Sequence, residues 1–484
     1  MNIRYICHII LFIGLGIPFQ AHAQSLDEAK EWYQEGRYAE ALPVFQREYQ
    51  DNPTNAPINQ WLGVSLYETG RLIEAREYLE FASGRRVTEA YLYLGELYTK
   101  LYRFDEAEKE FEKYQRANRR NQEALDRLEQ AREYADRLQR AVSRTEDVQI
   151  IDSLLLPKSE FLTAYNLSTS SGSLMPLSEF FNEQVGSDKT LYMNERGDKI
   201  YYSRGDEATG THLYTMEKLI DAFGNEKQLP SSINAMGNQA YPFVLSDGLT
   251  IYFASTGHQS FGGYDLYVTR YNLASDTYLV PNQLNMPFNS PFNDYLMAID
   301  EEKGVGWFAS DRFQPADSVC IYTFIPNQRV TLVEAVEMES EEEEMKYMAR
   351  RAMIASIAES WKENSDYTSL RLLAQQKPVQ EQQVQGDFEF VINDRATYRM
   401  LSDFKNDQAR SIFSQAQGLK NQLNTLRETL AEQRERFAAG DSGNSALRSS
   451  ILQLEEQEAT LHKEIERLEI QARNQEIRSS GQNI

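Results

Sequence analysis

The sequence predicts a multidomain α+β chain: an N-terminal α-solenoid of helical repeats, a central antiparallel β-propeller-like domain, and a C-terminal antiparallel coiled coil. Three observations carry this prediction. Residues 26–121 repeat with a period near 34. Residues 150–330 repeat strand-like runs about every 50 positions. From residue 405 apolar side chains step by four and three along two long segments.

The bulk properties fit a folded protein of several domains. The chain has 484 residues, 41% hydrophobic and 25% charged, with a formal net charge of −23. That charge excludes a general nucleic-acid binder, which needs a basic face to release counterions from phosphates. It also argues against docking on an anionic membrane surface.

At the N-terminus, Arg4 precedes the 14-residue apolar stretch ICHIILFIGLGIPF (6–19), and Ala21-His22-Ala23 follows. A basic start, a short apolar core and a small-x-small site predict a signal peptide over 1–23, cleaved after Ala23. The stretch falls short of the roughly 20 apolar residues that span a bilayer, so no membrane span is expected after cleavage. Cleavage removes Cys7 and leaves Cys320 as the lone thiol, so no internal disulfide is expected. Only His212, His258 and His462 remain, too few for a histidine-rich metal site. No metal or cofactor is expected.

Residues 24–145 form the predicted solenoid. Ala41, Ala75 and Ala107 recur at separations of 34 and 32, and Ala29, Gly63 and Gly95 each lie 12 residues before them. Phe45, Leu79 and Phe111 follow each alanine by four. Two helices pack closely only where Cβ bulk is small, and the larger residues then fill the space between neighbouring units. With Trp61-Leu62-Gly63, Tyr91, Leu94-Gly95, Tyr98 and Pro53, the pattern resembles the tetratricopeptide repeat over about three units. Residues 122–143 have the apolar pattern of a capping helix. The resemblance implies that the first helix of each unit lines a concave partner-binding groove. It would include Lys30, Tyr33, Gln60, Val64, Tyr67, Leu92, Glu96 and Thr99.

Past residue 150 the periodicity changes to two. DKIYYS (198–203), LTIYFAS (249–255) and VGWFAS (305–310) correspond, as do THLYTM (211–216), YDLYVTRY (264–271) and CIYTF (320–324). Tyr192, Tyr241 and Tyr295 mark the lead-in strands, at separations of 49 and 54. Tandem β-units of this size suggest propeller blades. The pattern SDG-x-x-IYFAS…GGYDLY…LN-x-P-x-NSP-x-ND resembles the bacterial WD40-like, TolB-type propeller repeat. About three units are recognisable, with a degenerate one at 159–192, whereas a closed ring needs at least four. The strand-like FEFVIND (388–394) is the candidate to return and complete a sheet.

The stretch SDGLTIYFASTGHQSFGGYDLYVTRYN (246–272) gathers His258, Gly262, Gly263 and Asp265 and looks like a site. Its chemistry dissolves on comparison with its neighbours. Asp265 aligns with His212 and Cys320, a position that drifts between units as no repeated ligand would. The glycine pair lacks G-x-G-x-x-G spacing and a following Lys-Ser/Thr, and no G-x-S-x-G elbow supplies a partner for His258. Asp247, Asp294 and Asp311 could pair as glycosidase acids, but aspartates commonly cap turns between strands. No catalytic residue is assigned, and the chain is not expected to be an enzyme.

Residues 334–387 read as an acidic, partly helical linker: EAVEMESEEEEMK (334–346) as a solvated run or helix start, 347–363 as helix and 377–387 as a polar connector. Over 405–478, Ile412, Leu419, Leu423, Leu426 and Leu430 continue one seam, and Leu447, Ile451, Leu454, Leu461, Ile465 and Leu468 a second. AAGDSGNS (438–445) is the turn between them, which favours an antiparallel hairpin. Pairing with a second copy is the alternative. Gln433 and Glu458 interrupt the seams as register-setting polar groups.

The order of modules resembles periplasmic envelope proteins of Bacteroidota, including accessory components of type IX secretion and gliding systems. Such relatives often end in an OmpA-like domain, in whose place a coiled coil is expected here. The resemblance implies a periplasmic, outer-membrane-associated scaffold or adaptor whose partners are envelope or outer-membrane proteins, with self-association through the coiled coil. The alternative is a glycan-binding or glycan-cleaving propeller that recruits partners through its helical repeats. A central pocket lined by aromatics or convergent carboxylates would favour that alternative.

Overall fold

A computed structural model describes residues 25–181, 189–206, 210–219, 222–334, 338, 340–377, 388, 390–393, 396–438 and 445–479. The expected signal peptide, most of the 377–387 connector and most of the 438–445 turn lie outside the described residues. The chain divides into two compact units, Met1–Pro378 and Val379–Ile484.

The first unit begins with helices in pairs: α1 (Leu26–Gln34), α2 (Tyr38–Asp51), α3 (Ala56–Glu68), α4 (Leu72–Gly84), α5 (Thr88–Lys100) and α6 (Phe104–Ala117). A longer helix, α7 (Gln122–Val142), closes the stack. Ser25 and Glu28 form a capping box that starts α1. The small residues at the crossings act as their spacing predicts. A Cβ on Gly63 would lie 2.8 Å from the Leu79 side chain, and one on Gly95 only 2.4 Å from the Phe111 ring. Ala29, Ala41 and Ala75 are fully buried at the same crossings.

Three antiparallel sheets follow in series. The first runs β2 (Ser173–Pro176), β3 (Thr190–Met193), β4 (Lys199–Asp206), β5 (Gly210–Leu219) and β6 (Ala222–Gln228), with a short helix, α8 (Leu177–Phe181), after β2. The second contains β7 (Gln239–Val244), β8 (Thr250–Ser255), β9 (Asp265–Asn272) and β10 (Thr277–Tyr278), with β11 (Asn282–Gln283) also on β9. The third orders β12 (Asp294–Asp300), β13 (Val305–Ser310) and β14 (Ser318–Ile325) against β1 (Gln149–Pro157), so the first strand of the domain completes its last sheet. Strand β7 packs on β3, β4 and β5, and β12 packs on β7, β8 and β9.

The repeated units are therefore real, but no closed ring forms among the described residues. The 3₁₀ turn Phe161–Ala164 lies against β1, β2 and β14, in the gap between the first and third sheets. The strand proposed to complete the ring does not join these sheets. Phe390–Asn393 (β15) pairs instead with Ala396–Tyr398 (β16) in the second unit. Its apolar face explains this, since Phe390 and Ile392 bury against Phe404, Phe413 and Ala472.

Paired asparagines join each unit to the one before. Asn234 accepts from Leu213 N at 2.7 Å and donates to the carbonyls of Leu213 and Leu229. Asn289 repeats this with Leu266 N at 2.6 Å and the carbonyls of Leu266 and Leu284. Four residues on, Asn238 accepts from Thr211 N at 2.9 Å and Asn293 from Tyr264 N at 3.0 Å. A carboxamide carries both acceptor and donor, so it replaces a missing ladder pair where one sheet hands over to the next.

The acidic segment expected to be a solvated linker is bound to the fold over much of its length. Ser340 caps α9 (Glu341–Ala352), four glutamates occupy its positive first turn, and Met348, Ala349 and Ala352 are buried. Farther on, α10 (Thr368–Gln375) and the residues before it cover the first part of the free edge of β1. Ser360 Oγ accepts from Ile150 N at 2.9 Å, Trp361 Nε1 donates to Ile150 O at 2.8 Å, and Arg371 Nε donates to Ile151 O. An uncovered edge strand invites association with other strands, and this strap covers the start of β1 at Ile150 and Ile151.

In the second unit, α11 (Asp407–Ala438) and α12 (Ser445–Ser479) run antiparallel, crossed by Lys420–Glu469, Arg427–Glu458 and Arg434–Glu455. Leu423, Leu430, Leu447, Ile465 and Leu468 are buried along them. Glu476 is fully buried and accepts from Lys405 N at 2.7 Å, Asn406 N at 3.1 Å and Tyr398 Oη at 3.0 Å. One helix's carboxylate thus binds the free amides where the other begins.

Candidate functional site

The structure divides the eight groove residues suggested by the repeat. Val64, Leu92 and Thr99 are at most 1% exposed, and Thr99 Oγ1 donates to Gly95 O at 2.9 Å. They are core, because at their helical positions the side chain points between helices rather than outward. This corrects their placement in the groove lining. Lys30 pairs with Asp27 and sits 5.4 Å from the Trp61 ring centre, while Gln60 Nε2 donates to Tyr33 Oη at 2.7 Å. These form one end of the solenoid.

Tyr67 and Glu96 do reach an open space. With Lys100 of α5 and Arg127, Gln130, Ala131 and Tyr134 of α7, they line a cavity of about 490 Å³. Its far wall comes from the β-domain: Phe261, Gly262, Gly263 and Pro291. The groove is thus composite. Lys100 lies one helical turn beyond Glu96, a spacing that places both on one face. The residues on α7 were missed because that helix reads as a cap, and nothing in the sequence signals the β-domain wall.

The wall is held firmly. Tyr134 Oη donates to Phe261 O at 2.7 Å, and Arg137 donates to Ser260 O at 3.1 Å with its guanidinium 5.1 Å from the Phe261 ring centre. Behind it, Tyr102, Phe104, Leu138, Val142, Met286 and Met348 form one apolar cluster. The glycine pair now has its physical reason. A Cβ on Gly262 would fall 1.8 Å from Phe292 O, and one on Gly263 2.0 Å from Asn293 Oδ1. Only glycine admits the next unit's Phe292 backbone and Asn293 side chain this closely.

Asp265 is fully buried and organises the same connector. It accepts from Phe261 N at 2.9 Å, Gly262 N at 3.2 Å and Gln283 Nε2 at 2.5 Å. Burial and the nearby Asp294 push its carboxyl up to about 7, against these hydrogen bonds. His258 does not pair with it: Nδ1 meets Ser255 Oγ at 3.0 Å and Nε2 meets Ser232 O at 3.1 Å.

Within the cavity, burial raises the Glu96 carboxyl above its ordinary pKa, while Lys100, Tyr67 and Arg127 oppose the rise. Burial lowers the Lys100 ammonium, opposed by Glu96 and Glu68. Lys100 Nζ also sits 4.3 Å from the Tyr67 ring centre. Carboxylate, ammonium, guanidinium and aromatic faces thus line one groove.

The other candidate acids are engaged locally. Asp247 accepts from Leu249 N and Thr250 N, each at 2.8 Å, as a turn cap. Asp294 is buried against Arg312 at 2.6 Å, and Asp311 binds Lys158, Asn293 and Tyr295. Glu458 pairs with Arg427. Among the described residues, no group of three His, Cys, Asp or Glu side chains could hold a metal ion, and no helix is long and apolar enough to cross a membrane.

Residues 33–83 match the family model described as tetratricopeptide repeat. A solved structure described as the first TPR of Spaghetti (RPAP3) bound to the HSP90 peptide SRMEEVD is similar at 21% identity, covering 23% of this chain and 90% of that chain, with a TM-score of 0.21. No curated protein matches the sequence.

Proposed function

We propose that this chain is a non-enzymatic scaffold or adaptor that captures a protein partner in its tetratricopeptide-repeat groove. The observation that carries the reading is the composite cavity, where Tyr67, Glu96, Lys100 and Arg127 face Phe261–Gly263. A rigid β-domain forming one wall restricts which partner segments fit, so specificity comes from both domains.

The cellular setting belongs to the same proposal. The N-terminal basic-apolar-small pattern supports export, and the order of repeats supports a periplasmic place in an outer-membrane assembly of the type IX secretion and gliding kind. The envelope proteins of that assembly are the partners proposed. The long C-terminal helices act as a coiled-coil hairpin in this reading, available for self-association.

Immobilised wild-type chain and the Tyr67→Ala plus Arg127→Ala variant, exposed to native envelope extract, test the central reading. A partner retained by wild type and lost by the variant supports it; identical recovery refutes it. N-terminal sequencing of the exported protein should begin at Gln24. Light scattering with and without residues 405–484 should show a change in assembly mass.

A further inference from the structure

A second cavity, of about 410 Å³, opens where the second and third sheets meet. Its size falls within the roughly 300–1,000 Å³ usual for small-molecule sites. Tyr241, Tyr264 and Tyr295 form one wall, with ring centres 5.4 to 6.2 Å apart. Asn238 and Thr256 supply an amide and a hydroxyl beside them.

Tyr241 sits at φ +55 in a β-bulge of β7, between Ala240 and Phe243. A bulky residue rarely holds that conformation, and bulges re-aim side chains next to functional sites. The equivalent tyrosine of the first unit, Tyr192, is 1% exposed and packs on Phe243. Tyr241 is itself 7% exposed, so the open part of the wall is the half-buried Tyr264 and Tyr295.

Charge narrows the occupant. Among the described residues, Lys158 is the one cation on the lining, and Asp311 meets it at 3.0 Å. With that charge matched, an anion gains little over water, and the pocket selects a neutral ligand. Aromatic faces are negative and attract weakly positive C–H groups, while the Asn238 side-chain NH2 and the Thr256 hydroxyl can donate, their oxygens already accepting from Thr211 N and Asn238 N. A sugar ring presents C–H faces and equatorial hydroxyls together.

We infer that this cavity binds a neutral hexopyranose unit of a glycan. Its Tyr264 directly follows Gly263 of the groove wall, so the two sites are neighbours. Saturation-transfer NMR on the full chain, with maltose, cellobiose and N,N′-diacetylchitobiose as probes, tests it. At least one disaccharide should receive transfer, and Tyr264→Ala or Thr256→Val should each weaken its binding by roughly tenfold or more. Circular dichroism and a cooperative thermal melt confirm that each variant is folded. No transfer to any of the three overturns the inference. So does binding unchanged in both folded variants, or equal binding of acetate or of a neutral tripeptide.

Discussion

The Tyr134 phenol donates a 2.7 Å hydrogen bond to the Phe261 carbonyl, joining the last solenoid helix to the connector of the middle sheet. Tyr134→Phe keeps the ring and leaves that carbonyl without this donor. Stability of the first unit should fall by about 1 kcal/mol in urea denaturation. No change would show that water replaces the phenol at no cost.

Asp265 gives that connector a pH dependence. Its carboxyl titrates near 7 in the fold, against about 3.9 when unfolded. The folded state therefore holds the proton more tightly. The stability this group contributes is complete below about pH 4 and lost as pH rises through 7, at about 1.4 kcal/mol for each tenfold difference in proton affinity. Asp265→Asn should remove that fall, so variant and wild-type urea midpoints should diverge between pH 4 and 7. Parallel profiles would contradict the assignment.

Glycines here differ in what they permit. Gly262→Ala should cost about 3 kcal/mol or more, because its Cβ meets the Phe292 carbonyl at 1.8 Å. Gly418 lies within α11, where an added Cβ would meet nothing within 4 Å, so Gly418→Ala should stabilise the second unit by up to about 1 kcal/mol. Thermal melts of the two variants should move in opposite directions.

The split among the groove residues is equally testable. Leu92→Ala should destabilise by about 2–5 kcal/mol, as a core truncation does. Glu96→Gln should leave the melting temperature nearly unchanged while weakening partner capture. The reverse pattern would return Leu92 to the groove.

Glu476 predicts the behaviour of the second unit. Glu476→Ala leaves two backbone amides and a phenol without their carboxylate, and the C-terminal unit should lose about 2–3 kcal/mol. A surface glutamate such as Glu456 should be silent in the same melt.

Much of this fold was legible because periodicity records burial. The alanines and glycines at 29, 41, 63, 75, 95 and 107 sit at crossings, and the drifting position 212/265/320 proved to be a strand residue. Seams through Leu423 and Ile465 found the long helices. Less was legible wherever distant segments meet. The paired asparagines at 234/238 and 289/293 repeat visibly, yet their partners are backbone groups of another unit. The acidic run 341–344 read as solvated because its exposed glutamates precede the buried face at Met348 and Ala352. The repeat's period located the groove helices but could not tell core positions from lining ones. Nothing local in Phe261-Gly262-Gly263 announces a wall for a cavity whose helical residues lie 127 or more positions earlier in the chain.

Site-specific crosslinking decides most directly whether groove and loop act together. A photoreactive amino acid at Gln130, an exposed residue lining the cavity, should trap one protein partner, and Tyr67→Ala should abolish the adduct. The same group at Glu112, exposed on α6 and away from the cavity, should trap none. An equal adduct from both positions, or one indifferent to Tyr67, would contradict a composite binding groove.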